Sequence, residues 1–198
     1  YIFEYFKNIL NHYINKCDHV IDTDSILSDN EKDLVINKFN DTDVEYDREI
    51  TLNELFEKSV LFHSNNNAVI YSDGRKLTYD ELNKNSNRIA NMLREKGIKR
   101  NEFVAVIMER SPEMIEAIMG ILKAGGAYLP VETYIPNARL RTMLELTGAS
   151  KIITSDSLMD RVREVTADMD IKTIVSVDDS ILKTYGENTP ISINESTD

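Results

Sequence analysis

The chain has little of what most catalytic or metal-binding sequences advertise. A single cysteine, Cys17, rules out any intrachain disulfide, and no Cys/His cluster has metal-ligand spacing. The three histidines, His12, His19 and His63, are scattered, and none sits in an HExxH pattern. With Cys17 they read as structural or solvent-facing. Seven glycines and four prolines are too few for a linker-like or low-complexity protein. No run of eighteen apolar residues occurs, so no membrane span is expected. The opening Tyr1-Ile-Phe-Glu4 has neither a basic n-region nor an initiator methionine, so it does not read as a signal peptide. It reads as the interior of something longer. Lys/Arg-rich runs are also missing. With 34 acidic against 23 basic side chains, the formal charge of −11 repels phosphate backbones and argues against a nucleic-acid partner. A reducing cytoplasm is the expected compartment.

What is present is an ordinary soluble composition, 41% apolar and 29% charged, over 198 residues. That is enough for one domain, or for one domain and a fragment of another. Residues 1–16 carry apolar side chains at helical spacing: Ile2, Phe3, Phe6, Ile9, Leu10, Tyr13 and Ile14. Such a stripe needs a partner surface. Three partners fit the pattern: this chain's own core, a preceding domain whose last helix this would be, or a membrane surface. Residues 18–27 could supply one extended piece. Ser28 and Glu31 form a capping box for a short helix to about Phe39, and a polar, turn-rich linker follows.

From Thr51 the signals sharpen. Thr51 with Glu54 predicts a helix to about Phe62, burying Leu52, Leu55, Phe56 and Ser59. Ala68–Tyr71, Asp73-Gly74 and Lys76–Thr78 read as a hairpin. Thr78 with Glu81 starts a helix to about Lys96, with Leu82, Ser86, Ile89, Ala90 and Leu93 on one face and Gly97 as its C-cap. Alternation follows. Strands are expected at 103–108, 127–130, 151–154 and 171–175, with helices at 112–124, 137–146 and 157–167 between them. The fold class is α/β: an open, mainly parallel sheet flanked by helices, βαβαβαβ. The tail after Asp178 shows no clear element.

Three short stretches carry residues that could bind a ligand. Lys123-Ala-Gly-Gly126 resembles a phosphate turn, but its glycines follow a helix and precede a strand, so a negative macrodipole end faces them. Gly125 reads as a C-cap, Gly126 as a close-packing position, and Lys123 as a cation facing that dipole. Glu109 and Arg110 follow a parallel strand, where ligands usually bind. Arg110 could meet an anion there, yet the pair reads more simply as a solubilised loop. Asp178-Asp179 reads as solvated. No GxGxxG, GxxxxGK[ST] or Gly-x-Ser-x-Gly occurs. No catalytic, cofactor-binding or metal-ligating residue is assigned, and Glu109, Arg110 and Lys123 are taken as scaffold.

Two segments carry a family resemblance. Leu77-Thr-Tyr-Asp-Glu-Leu82 and Leu122-Lys-Ala-Gly-Gly-Ala-Tyr-Leu-Pro130 resemble the first two core motifs of adenylation domains of non-ribosomal peptide synthetases. Asn87-Arg-Ile-Ala90, Leu93-Arg94, Gly97, Val106–Ile115, Pro136 and Arg139 fit the same pattern in order and spacing. Val131-Glu132-Thr133 and Ile135 depart from it. The resemblance implies three segments. Residues 1–25 would be the end of a condensation domain, 26–50 an interdomain linker, and 51–198 the N-terminal fragment of an adenylation domain. The whole enzyme would use ATP, magnesium and a phosphopantetheine carrier to activate an amino acid and load it on a thiol. Its partners would be the rest of the adenylation domain, the condensation domain and the carrier domain. The phosphate loop, amino-acid pocket and catalytic lysine of that family are not in this sequence, so the fragment is expected to be inactive alone. The competing reading is a non-catalytic interaction module that binds a neighbouring synthetase domain.

Overall fold

The structure, a computed structural model, describes residues 2–15, 27–46, 49–178 and 180–189, and omits the side chains of His12, Asn15 and Ile181. Cys17, His19, Asp179, the end of the tail and nearly all of the expected extended piece at 18–27 lie outside the described residues. The chain divides into two units between Glu49 and Ile50.

In the first unit, α1 (Ile2–Asn15) forms where its periodicity predicts, and its apolar stripe from Ile2 to Ile14 is exposed. Helix α2 (Asp29–Asp33) starts at the Ser28–Glu31 capping box, with both reciprocal bonds made. The Tyr5 hydroxyl donates to Glu31 Oε1 at 2.8 Å. The expected continuation to Phe39 is present but wider, a π-helical turn over Leu34–Lys38. Asn40 explains the ending: its amide donates to the carbonyls of Val35 and Ile36, satisfying acceptors at the helix end.

The second unit is built on a four-stranded parallel sheet. Two further capping boxes, Thr51–Glu54 and Thr78–Glu81, start α3 (Leu52–His63) and α4 (Tyr79–Glu95). Each N-cap contributes about 1 kcal/mol. Between them, β1 (Asn67–Ile70) and β2 (Lys76–Thr78) pair antiparallel around the Asp73-Gly74 turn. The α/β alternation then runs β3 (Phe103–Ile107), α5 (Pro112–Lys123), β4 (Ala127–Val131), α6 (Asn137–Thr147), β5 (Lys151–Thr154), α7 (Asp156–Val165) and β6 (Thr173–Ser176). The strand order is β4-β3-β5-β6, and every adjacent pair is parallel.

Each apolar strand splits its side chains between two cores. Val104, Val106 and Ile153 pack with α4 and α5 on one face. Ala105, Ile107 and Ile152 pack with α6 and α7 on the other. The continuous apolar run in β3 is thus two interleaved period-2 patterns, as a strand covered on both faces requires. Pro130 sits in β4 because β4 is an edge strand, where one side of the ladder needs no donor.

Helix α3 forms a further layer on α4 and α5 by only part of the face expected, since Phe56 and Ser59 are half-buried as predicted. Leu52 and Leu55 are exposed, while Asn53, Phe56, Glu57 and Val60 turn inward. The cause is polar. Asn53 Nδ2 donates to the Leu122 carbonyl at 3.0 Å, and Glu57 reaches the buried Lys123 ammonium at 3.7 Å. These contacts place Asn53 and Glu57 beside Phe56 and Val60 on the inward side.

The tail also departs from expectation. A 3-10 turn forms at Ser180–Thr184, and Leu182 joins the core against α4. Beyond it, Gly186, Glu187 and Asn188 are bonded to asparagine side chains of α4.

Helices α4 and α5 approach closely at Gly120. A Cβ there would lie 2.6 Å from Ile89 Cγ2 and 3.0 Å from the Ser86 carbonyl oxygen. The substitution Gly120→Ala should destabilise the unit by about 1–3 kcal/mol through overpacking. Urea denaturation followed by circular dichroism checks this, and an unchanged midpoint would contradict the packing described.

Candidate functional site

The topology puts the ends of β3 and β4 beside one another with their loops on the same edge of the sheet. Over those ends lies an open groove of about 1110 Å³. Met108, Met114, Val131, Ile135 and Met143 make its apolar wall, and Glu109, Arg110, Glu132, Tyr134 and Arg139 bring charge and polarity to it. It lies where ligands bind in open α/β sheets.

Three anchors hold the groove. The Tyr71 hydroxyl, from the hairpin β1–β2, donates to the Arg110 carbonyl. Thr133 donates to the Glu109 carboxylate. Arg161 on α7 donates to the carbonyls of Thr133 and Ile135 and, at 3.0 Å, to Asn137 Oδ1. Pro136, the N-cap of α6, has no side-chain acceptor to offer, so Arg161 holds this loop through its carbonyls and leaves the helix N–H groups to others. Arg75 ties the hairpin to α5, at 2.7 Å from Asp73 and 2.6 Å from Glu113.

Glu109 and Arg110 therefore sit as the sequence implied, exposed on a loop, but the loop is pinned from two sides. Among the described residues the guanidinium groups of Arg110 and Arg139 have no ion-pair partner within 4.0 Å. The Tyr134 phenol is raised above its ordinary range by its bond to Glu132.

Lys123 behaves differently from a cation simply facing a helix dipole. Its side chain is 1% exposed. The ammonium donates to Asn83 Oδ1 at 2.5 Å and Asn87 Oδ1 at 2.6 Å, and lies 5.2 Å from the centre of the Phe56 ring. Burial pushes its pKa down to about 8, partly offset by Glu57. Asn83 and Asn87 lie four apart on α4, stacked on one face, which is the only sequence signal that marked them as a pair. The glycines after Lys123 take the roles expected of them. Gly125 adopts φ +84 after the helix, and a Cβ on Gly126 would lie 2.6 Å from Ile98 Cδ1.

Asp178 is not merely solvated. Its carboxylate accepts from the Asp156 backbone N–H at 3.0 Å, satisfying a donor at the start of α7 that the N-cap Ser155 leaves unmet. Glu116 on α5 accepts from Asn85 at 2.7 Å, and burial pushes its pKa up to about 6. His63 lies near the Tyr79 ring. Among the described residues no three His, Cys, Asp or Glu side chains are placed to share a metal ion. Hydroxyl–carboxylate pairs do occur, Thr133 with Glu109 in the groove and Ser150 with Glu102 outside it. The groove offers shape and charge for binding; its polar groups serve mainly as anchors.

Two titrations follow. Glu116 is raised from 4.5 to about 6, so its stabilising contribution is full below pH 4.5 and is lost as pH rises through 6. Glu116→Gln should therefore gain about 2 kcal/mol over the native chain at pH 7 and nothing near pH 4. Lys123 is lowered from 10.5 to about 8, so stability should rise between pH 8 and 10.5, and Lys123→Met should lack that rise. Thermal unfolding from pH 4 to 10.5 measures both; parallel profiles for the native and variant chains would contradict them.

The family model described as "AMP-binding enzyme" matches residues 56–196. Gramicidin S synthase 2 of Brevibacillus brevis is 35% identical over 195 residues, covering 98% of this chain and 4% of that protein. Bacitracin synthase 1 of Bacillus licheniformis is 38% identical over 174 residues, covering 88% of this chain and 3% of that protein. Among solved structures, the nonribosomal peptide synthetase FmoA3 in its alpha-methyl-L-serine-AMP bound form superposes with a TM-score of 0.71. It is 31% identical over 96% of this chain and 21% of its own. The chain thus spans only a small part of the relatives it matches.

Proposed function

The chain belongs to the AMP-binding enzyme family, and from that premise we propose that it is the N-terminal part of an amino-acid adenylation domain in a peptide synthetase. The observation that carries the proposal is the alignment of nearly the whole chain with FmoA3, a synthetase solved with an aminoacyl-AMP. The similarity to gramicidin S and bacitracin synthases supports it.

In this reading the parent enzyme joins an amino-acid carboxylate to the α-phosphorus of ATP. Pyrophosphate leaves, and the acyl group then passes to a carrier-bound phosphopantetheine thiol. Such chemistry needs donors around the transferring phosphorus and a cation to offset its charge. The described residues do not fit a magnesium ion or a triphosphate. They bring no acidic cluster together, and their paired glycines follow α5 instead of opening a helix. No step is therefore assigned to a residue of this chain, and the β3–β4 groove is a scaffold surface for the rest of the domain.

Residues 51–198 are the adenylation-domain fragment, 26–50 an interdomain linker and 1–25 the end of a condensation domain. The division between Glu49 and Ile50 supports the second boundary, and the exposed apolar stripe of α1 is what a helix separated from its partner would carry. The same stripe favours the second reading, a non-catalytic module that binds a neighbouring synthetase domain. The proposed setting is cytoplasmic, and no described helix is long and apolar enough to cross a membrane.

Amino-acid-dependent exchange of pyrophosphate into ATP separates these readings. A longer polypeptide that contains this segment should catalyse it, and the 198-residue chain alone should not exceed a no-protein control. Exchange by the chain alone would sink the proposal that it is an incomplete site. Lack of exchange by the longer polypeptide with all twenty amino acids would favour the interaction module.

A further inference from the structure

A buried ammonium and a stretch of backbone meet on the same side chain. Lys123 is a donor-only group: its ammonium carries three N–H bonds and no acceptor. Asn87 is 1% exposed, and its amide has one accepting and one donating end. With the ammonium 2.6 Å away, the accepting Oδ1 must face Lys123. The donating Nδ2 is thereby turned the other way, and it meets the Glu187 carbonyl at 2.6 Å. The reverse orientation would set N–H against ammonium and carbonyl against carbonyl in a buried site, where unpaired polar groups are costly.

The neighbouring side chains extend this contact along the same backbone. Asn91, one turn further on α4, donates to the carbonyls of Gly186 at 2.8 Å and Asn188 at 3.0 Å. Arg88 pairs with the Glu187 carboxylate. Three successive carbonyls, 186 to 188, are thus taken up by α4, and the middle one depends on how the Asn87 amide is oriented. No hydrogen bond or ion pair links Lys123 to that segment among the described residues; its bonds go to Asn83 and Asn87, with Glu57 and Phe56 of α3 beside it.

We propose that Lys123 is a positioning residue for the segment 186–188, acting through the orientation it imposes on the Asn87 amide. The arrangement gives a buried lysine in this fold a role that packing alone does not require.

Limited proteolysis of the 198-residue chain by a Glu-specific protease tests the relay. The readout is the rate of cleavage after Glu187, with hydrogen–deuterium exchange of β3 as the measure of folding. Lys123→Met removes the donor to Asn87, and Asn87→Leu removes the donor to Glu187. Each should raise cleavage after Glu187 about tenfold, on the order of one hydrogen bond, with β3 still protected. The double variant should exceed neither single variant, because both break one relay. A wild-type rate in Lys123→Met, or effects that multiply in the double variant, would overturn the proposal. If Lys123→Met loses β3 protection, Lys123→Gln, which keeps an N–H donor, decides: a cleavage rate below that of Asn87→Leu supports the relay, and an equal rate overturns it.

Discussion

Strand β3 is covered on both faces, and the placement of the other elements in the 50–189 unit answers to that requirement. Val104 and Val106 demand an apolar layer on one side, Ala105 and Ile107 on the other. Burying one such side chain contributes about 1.5–3 kcal/mol, so neither layer can be left out. Helices α4 and α5 supply the first and α6 and α7 the second. The strand order β4-β3-β5-β6 then follows, with β3 between neighbours on both edges and Pro130 tolerated only because β4 closes one side.

Around that apolar centre, a few charged and amide groups decide how the outer pieces attach. Lys123 draws Glu57 toward the core and with it the orientation of α3. Arg161 fixes the β4–α6 loop by its carbonyls, and Asp178 completes the start of α7. In each case a side chain far away in sequence satisfies a backbone or charged group that local sequence leaves open. Of these, Arg161 bears on the groove over β3 and β4, together with the Tyr71 and Thr133 contacts. Several of the groove's polar groups, the Thr133 hydroxyl, the Glu109 carboxylate and the Arg110 carbonyl, are held in these contacts.

Membership of the AMP-binding family and the structure describe the same object from two sides. The segments that resemble synthetase motifs, Leu77–Leu82 and Leu122–Pro130, have structural roles. The first sets the Thr78 capping box and the start of α4. The second ends α5, buries Lys123, turns at Gly125 and becomes the edge strand β4. Their regularity here comes from helix capping and close packing.

Much of the architecture was already written in local sequence. Capping boxes at Ser28, Thr51 and Thr78 fixed three helix starts, and the apolar runs at 103–107 and 151–154 marked strands buried on both faces. These signals work because caps and periodicity are properties of residues three or four apart. Sequence reading failed where the deciding partner was distant. Leu52 and Leu55 lost the inward face of α3 to Asn53 and Glu57, because an ammonium 66 residues beyond Glu57 had to be satisfied. The segment 180–188 looked structureless because its partners are Asn87, Arg88 and Asn91, nearly a hundred residues upstream. Periodicity and capping thus determined which elements form and that their sheet is parallel. Burial of charge, which only the assembled fold can impose, decided which face of α3 turns inward and where the chain runs after β6.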